Sequence, residues 1–171
     1  STQSEPGSTS ESHAARGSVP AIHYESMDEL RGRVDRMRVQ EVLLALLSNA
    51  WDAASCSEHD PPIIHVRSES VGAESMGGER VRIVVSDNGP GLDPARGEEI
   101  YSIGFTTREN RSGLGLHLAS LAAVDLEGEL RVLHAAASSS QLDAGMLAGA
   151  SFAFEFPLKG ERSIAGAPIG V

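Results

Sequence analysis

Val81-Arg82-Ile83-Val84-Val85-Ser86-Asp87-Asn88-Gly89-Pro90-Gly91 runs from a strand that can be buried into a glycine-proline loop. The β-branched apolar residues favour a pleated conformation, and Asn-Gly-Pro-Gly ends it. Asp87 stands where the strand runs out. A carboxylate there is an acceptor suited to the exocyclic amino group of adenine. A hydrogen bond to a charged group contributes about 1.5–3 kcal/mol, enough to prefer adenine over guanine, which offers a carbonyl at the corresponding edge. Gly89 and Gly91 permit positive φ and keep Cβ atoms out of a base's path. The same residues would also serve as a plain turn after a strand.

Outward from this loop lie the other parts of a nucleotide pocket. Gly113-Leu114-Gly115-Leu116-His117 leads into a helix, whose N-terminal amides and positive dipole end favour phosphate oxygens. Between the two glycine stretches, Gly104-Phe105-Thr106-Thr107-Arg108, with Arg111 close behind, offers hydroxyls and guanidinium groups that would reach phosphates. Phe105 reads as a core anchor. Upstream, apolar residues at Val42, Leu43, Leu46, Leu47, Ala50 and Ala54 recur at helical spacing. Ala45, Asn49 and Asp52 fall on another face of that helix. The Asn49 carboxamide is able to complete the octahedral shell of a Mg²⁺ that otherwise holds phosphates and waters. Asp52 would brace the glycine loop or hold a water, or serve as plain surface.

Bulk properties narrow the class. A chain of 171 residues is long enough for one buried core with tails. With 40% hydrophobic but only 4% aromatic residues, that core is aliphatic. The net charge of −10 argues against a nucleic-acid partner, because no basic stripe exists to neutralise phosphates. Cys56 is the only cysteine, which excludes an intrachain disulfide and a thiolate zinc site and fits a reducing compartment. No apolar run reaches the roughly 18 residues that span a bilayer, and no signal-peptide pattern opens the chain. The expected location is cytoplasmic, within a parent protein compatible with a membrane anchor. Because the chain opens on Ser1, a fragment or processed form is expected.

The spacing predicts a disordered tail over 1–18, a domain over 19–160 and a C-terminal tail over 161–171. Within the domain it predicts an edge strand near 19–24, a helix opened by Asp35, and strands over 63–67 and 80–86 joined by a hairpin loop at 72–78. A helical turn near 98–101 follows. A helix from Gly113 to near Gly128 then buries Leu114, Leu118, Leu121, Ala122 and Leu126, and strands follow at 130–133 and along Phe152, Phe154, Phe156 and Leu158. Trp51 is expected in the core and Cys56 buried or half-buried. The histidines show no metal-ligand spacing. Consecutive strands without helices between them point to an α+β two-layer α/β sandwich, a mixed and mostly antiparallel sheet with helices on one face.

Asn49, Asp87-Asn88-Gly89-Pro90-Gly91, Gly104-Phe105-Thr106-Thr107, Gly113-Leu114-Gly115-Leu116 and Gly149-Ala150-Ser151-Phe152, in that order, resemble the ATP-binding domain of sensor histidine kinases. That superfamily, of Bergerat-type fold, also includes gyrase, the mismatch-repair ATPases and a heat-shock chaperone. The resemblance spans about 35–158. It implies ATP and Mg²⁺ as cofactors, Asn49 as metal ligand and catalytic residue, and Asp87 as adenine acceptor. It also implies a nucleotide pocket drawn from Asn49, Asp52, Asp87, Gly89, Gly91, Thr106, Thr107, Arg108, Gly113, Leu114, Gly115 and Leu116. Arg108 would act on the phosphates, and residues 92–112 would form a short ATP lid. The γ-phosphoryl group would pass to a histidine on a separate dimerisation and phosphoacceptor domain, in cis or in trans, and onward to a response regulator receiver domain.

Two residues depart from the family pattern. Ala45 stands where histidine kinases place a polar residue and the hydrolytic relatives a glutamate base. Glu41 does not replace it, lying about 12 Å along the helix from Asn49 against about 6 Å for Ala45. Gyrase-like hydrolysis is therefore disfavoured, whereas a histidine acceptor supplies its own nucleophile. Ala150 replaces the usual Thr and removes one water-mediated contact to the base. Neither His13 nor His23 fits the phosphoacceptor pattern. Two alternatives remain open: a nucleotide-sensing pseudokinase or scaffold, motivated by Ala45, and a serine kinase of the anti-sigma-factor type. The fragment alone is expected to be monomeric.

Overall fold

The computed structural model describes residues 19–26, 32–56, 61–73, 78–93, 99–104, 113–133, 147 and 149–159. Asp35 caps helix α1 (Arg36–Ser55), accepting from the backbone N–H of Met37 at 2.9 Å and of Arg38 at 3.3 Å. That satisfies amides which a helix start leaves unpaired. Val42, Leu46, Ala50 and Ala54 then bury one flank of the helix. Trp51 departs from expectation and is 39% exposed. It lies five residues from Leu46, about 140° around the helix, and so faces away from the buried stripe. Cys56, at the C-cap, is also exposed.

The remaining elements are strands β1 (Ala21–Ser26), β2 (Ile63–Ala73), β3 (Gly78–Asp87), β4 (Glu129–Leu133) and β5 (Ser151–Pro157), and helix α2 (Gly115–Asp125). The strands form one sheet in the order β1-β2-β3-β5-β4. β1 pairs with β2 in parallel, and the other pairs are antiparallel. A single helical turn covers 99–101. β2 and β3 are longer than their apolar runs suggested, pairing as far as Ala73 opposite Gly78. The extension is held by charge. Glu69 lies opposite Arg82, and the Arg82 guanidinium donates to Glu69 at 3.1 Å and to Glu155 of β5 at 2.7 Å. Burial works against the Arg82 charge, but the hydrogen bonds and charges of Glu155 and Glu69 outweigh it and raise its pKa.

Register separates the two faces of the sheet. Val81, Ile83 and Val85 of β3 stand opposite Phe156, Phe154 and Phe152 of β5, and these join the buried residues of both helices in one core. The opposite face carries the Arg82–Glu155 pair, Val84 opposite Ala153, and Ser86 bonded to Ser151 at 2.8 Å. Helices on one face of a mixed sheet make the two-layer α/β sandwich that the sequence implies. The face that α2 buries does not follow expectation. Ala119, Ala122 and Ala123 are buried, while Leu114, Leu118 and Leu121 are exposed, the last two by 47% and 51%. Small side chains let α2 approach α1 and the sheet closely, so the large apolar residues fall outside the contact. Ala122 and Leu126 are buried as expected.

Candidate functional site

Asp87 continues the alternation of Val81, Ile83 and Val85 and so faces the layer between the sheet and the helices. Only 2% of it is exposed. Its Oδ1 accepts from the backbone N–H of Gly89 at 2.9 Å and of Ala150 at 3.3 Å. Its own backbone exchanges bonds with the segment before β5, the Asp87 N–H donating to the Ala150 carbonyl at 3.0 Å and the Gly149 N–H to the Asp87 carbonyl at 2.9 Å. A carboxylate this buried survives because amides surround it.

Two residues hold this floor that sequence reasoning left out of the site. A Cβ at Gly149 would lie 2.3 Å from Asp87 Oδ1 and 2.6 Å from the Gly89 nitrogen, so only glycine fits. The neighbouring Asn88 is buried. Its Oδ1 accepts from the Ile63 N–H at 2.8 Å and its Nδ2 donates to the Pro61 carbonyl at 3.0 Å, which ties the loop to the start of β2. The Gly149 signal was present in the sequence as a glycine before a strand; its partner, Asp87, is far away in the chain.

Gly89 and Gly91 play different parts. Gly91 has φ +79°, as expected. Gly89 does not adopt positive φ among the described residues. A Cβ there would sit 2.8 Å from the backbone of Ala53, so the glycine lets the loop rest on α1. Asn49 lies one turn before Ala53 on the same flank of α1 and is half-buried, as are Ala45 and Asp52.

The helices run antiparallel, because Arg38 near the start of α1 pairs with Asp125 at the end of α2 at 3.1 Å while the two helices pack side by side. From that pair, Asn49 is about 17 Å along α1 and Gly115 about 15 Å back along α2, at about 1.5 Å per residue. The start of α2 therefore lies level with the turn that carries Asn49. Gly113 has φ +65°, and Leu114 at the N-cap makes no side-chain cap bond. Among the described residues, a Cβ at Gly115 would meet nothing within 4 Å, so packing against them does not demand glycine there. Leu114 is exposed and Leu116 half-buried. Thr106, Thr107 and Arg108 lie outside the described residues, as do Phe105 and Arg111. Gly104, at the edge of that stretch, has φ +78°.

A buried carboxylate against a glycine wall, a carboxamide one helical turn away and a side-chain-uncapped helix start are thus gathered along α1. The family model for histidine kinase-, DNA gyrase B-, and HSP90-like ATPases matches residues 34–160. The chain belongs to this family. Among curated relatives, this ATPase domain is 35% identical over 105 residues to the C4-dicarboxylate transport sensor protein DctB of Rhizobium meliloti (strain 1021), which covers 61% of this chain and 16% of that protein. It is 32% identical over 125 residues to the sensor protein CitS of Halalkalibacterium halodurans, 70% of this chain and 20% of that one. The chain thus spans a fifth or less of the length of these two relatives.

Among solved structures, the catalytic domain of the histidine kinase ThkA in a nucleotide-free form aligns with a TM-score of 0.59 and 28% identity, over 81% of this chain and 78% of that one. A mycobacterial sensor histidine kinase, MprB, aligns with a TM-score of 0.60 at 21% identity, over 82% and 84%, and shares the fold. Among the described residues, no helix of this domain is long and apolar enough to cross a membrane.

Proposed function

We propose that this domain binds Mg-ATP and transfers its γ-phosphoryl group to a histidine on a separate dimerisation and phosphoacceptor domain, as the catalytic domain of a two-component sensor histidine kinase. The observation that carries the reading is Asp87, buried and held by the Gly89 and Ala150 amides at the end of β3. On this reading its carboxylate accepts from the adenine amino group, Gly91 keeps a Cβ out of the base's path, and Gly89 and Gly149 let the loop close on α1 and on Asp87 so that the carboxylate is held in place. The start of α2, Gly113 to Leu116, receives the phosphates, and Thr106, Thr107 and Arg108 close on them from the intervening segment.

The donor set fits a metal that arrives with its nucleotide. Asn49 offers one carboxamide oxygen, and among the described residues no group of three or more His, Cys, Asp or Glu is gathered to hold an ion independently. When bound, Mg²⁺ neutralises charge on the phosphate oxygens. Asn49 orients the triphosphate from α1, Asp52 braces the loop or holds a water, and Arg108 offsets charge on the γ-phosphoryl group as it leaves. Ala45 provides no base, so water is not activated from α1, and the acceptor histidine brings its own nucleophilic nitrogen. The folded unit is 19–160, with 1–18 and 161–171 as tails. This domain works in the cytoplasm, within a parent protein compatible with a membrane anchor, and the phosphoryl group passes onward to a response regulator receiver domain.

Calorimetric titration of wild type and Asp87→Asn with an ATP analogue and Mg²⁺ tests the binding step. An amide in place of the carboxylate presents N–H to the adenine amino group, and affinity is expected to fall about 10- to 150-fold, from a charged hydrogen bond of about 1.5–3 kcal/mol. Equal affinity in the two proteins, or none in either, overturns the reading. Ala45 also supports a second reading, a pseudokinase that senses nucleotide without transferring it. Labelled ATP with a matched helical-hairpin partner separates the two, since acid-labile label on the partner's histidine removes the pseudokinase. Acid-stable label would instead mark a serine kinase.

A further inference from the structure

We infer that His117 is a positioning residue that fixes the phosphate-facing start of α2 against the helical turn at 99–101; the inference rests on the nucleotide reading above. His117 stands in the first turn of α2, and its Nδ1 lies 3.0 Å from the Tyr101 carbonyl oxygen. A carbonyl only accepts, so Nδ1 carries the proton and donates. The turn it grips is anchored on its other side by Ile100, which is buried in the core shared with both helices, and is closed by the Ser102 N–H donating to the Glu99 carbonyl at 2.9 Å. The imidazole thus joins the last turn described before residues 105–112 to the first turn after them.

The bond sits where it affects ligand geometry more than stability. α2 begins at Gly115 without a side-chain cap, after Gly113 in the left-handed region. The Ser120 hydroxyl donates back to the His117 carbonyl at 2.7 Å within the helix. The His117 side chain supplies a restraint from outside the helix. Amides that are already aimed cost less to order when phosphate arrives, and binding is tighter by that amount.

The reach of the donor makes the idea testable. Nδ1 is separated from Cα by Cβ and Cγ, as is the Nδ2 of asparagine, whereas the amide nitrogen of glutamine lies one bond further out. His117→Asn therefore keeps a donor in place, and His117→Gln and His117→Leu do not. Titration calorimetry with a non-hydrolysable ATP analogue and with adenosine, on the whole chain, reads both ends of the pocket. His117→Leu and His117→Gln are expected to weaken the analogue about three- to tenfold, the range of one net hydrogen bond. Adenosine affinity should stay unchanged, and His117→Asn should recover most of the loss.

Equal losses for adenosine and the analogue would mean that the side chain only supports the core. Unchanged analogue binding in His117→Leu, or no rescue by asparagine over glutamine, would overturn the inference while leaving the nucleotide reading intact. A wild-type protein that binds neither ligand overturns both. Imidazole ¹⁵N NMR gives a readout independent of ligand: Nδ1 should appear protonated in the free protein, and a ring protonated only at Nε2 refutes the bond.

Discussion

Replacing Gly149 with alanine adds one methyl group at the worst place in the domain. The new Cβ would lie 2.3 Å from Asp87 Oδ1, 2.4 Å from the Asp87 carbonyl oxygen and 2.6 Å from the Gly89 nitrogen. Opening the first contact even to 3.0 Å moves the carboxylate by about 0.7 Å. Two of the three atoms belong to the backbone, and Asp87 Oδ1 is pinned by the Gly89 and Ala150 amides. The strand end, the loop or the segment before β5 must shift, and the bonds joining Asp87 to Gly149 and Ala150 are stretched with it. Overpacking costs about 1–3 kcal/mol, and a weakened bond to a buried carboxylate adds about 1 kcal/mol or more. For a domain of this size that lowers the melting temperature by several degrees, on the order of 3 °C or more per kcal/mol. Urea denaturation with calorimetric titration of an ATP analogue checks both consequences, and binding should fall at least about tenfold because the proposed adenine acceptor has moved. A Gly149→Ala protein with wild-type stability and affinity would refute the reasoning.

The opposite sign is expected at Gly115, where an added Cβ meets nothing within 4 Å among the described residues. Gly115→Ala should stabilise the helix start by up to about 1 kcal/mol yet weaken ATP-analogue binding, and tighter binding would remove the proposed phosphate contact. On α2, Ala122→Leu should cost about 1–3 kcal/mol in urea denaturation, whereas Leu121→Glu should stay within about 0.5 kcal/mol; the reverse order would contradict the assigned buried face. Arg82→Met leaves Glu69 and Glu155 facing each other across β3 without their shared cation. It should cost about 1–3 kcal/mol, with much of that recovered when both glutamates are changed to glutamine in the same background, as a double-mutant cycle would read.

The parts of the fold legible in sequence are those set by neighbours along the chain. Asp35 was readable as a cap because its partners are two and three residues away, and β5 because Phe152, Phe154 and Phe156 alternate on a face that is buried as a whole. β2 was read short because Ser68-Glu69-Ser70 breaks the apolar pattern. What continues the strand there is Arg82 on another strand, which local periodicity does not register. α2 misled for a related reason. Leucine spacing marks a stripe of apolar surface, but which stripe is buried depends on how close the neighbouring helix comes, and here alanines permit the closer approach. At the site, Asp87 and Asn49 stood out because polar groups at a strand end and beside an apolar stripe are unusual. Gly149 belongs to the motifs that carry the resemblance but not to the site residues, because its role depends on Asp87, more than sixty positions away.

The two ends of the proposed pocket are built on different physics. The base end is rigid: Asp87, Gly89 and Gly149 interlock through backbone bonds and contacts that leave no room for a methyl group, and Asn88 ties the loop to β2. On the proposed reading, selectivity for adenine would persist through small changes elsewhere. Among the described residues, the phosphate end has a helix start without a side-chain cap, a glycine whose Cβ would meet nothing within 4 Å and an imidazole bond from His117. On the proposed reading, a rigid grip on the base lets the γ-phosphoryl end adjust to an acceptor on a second domain while the purine stays fixed. The same division predicts that substitutions at the base end lower the affinity for ATP and adenosine together, while those at the start of α2 separate the two. A variant of Gly115 or His117 that lost adenosine as strongly as ATP would show that the two ends are one cooperative unit, and the division would fail.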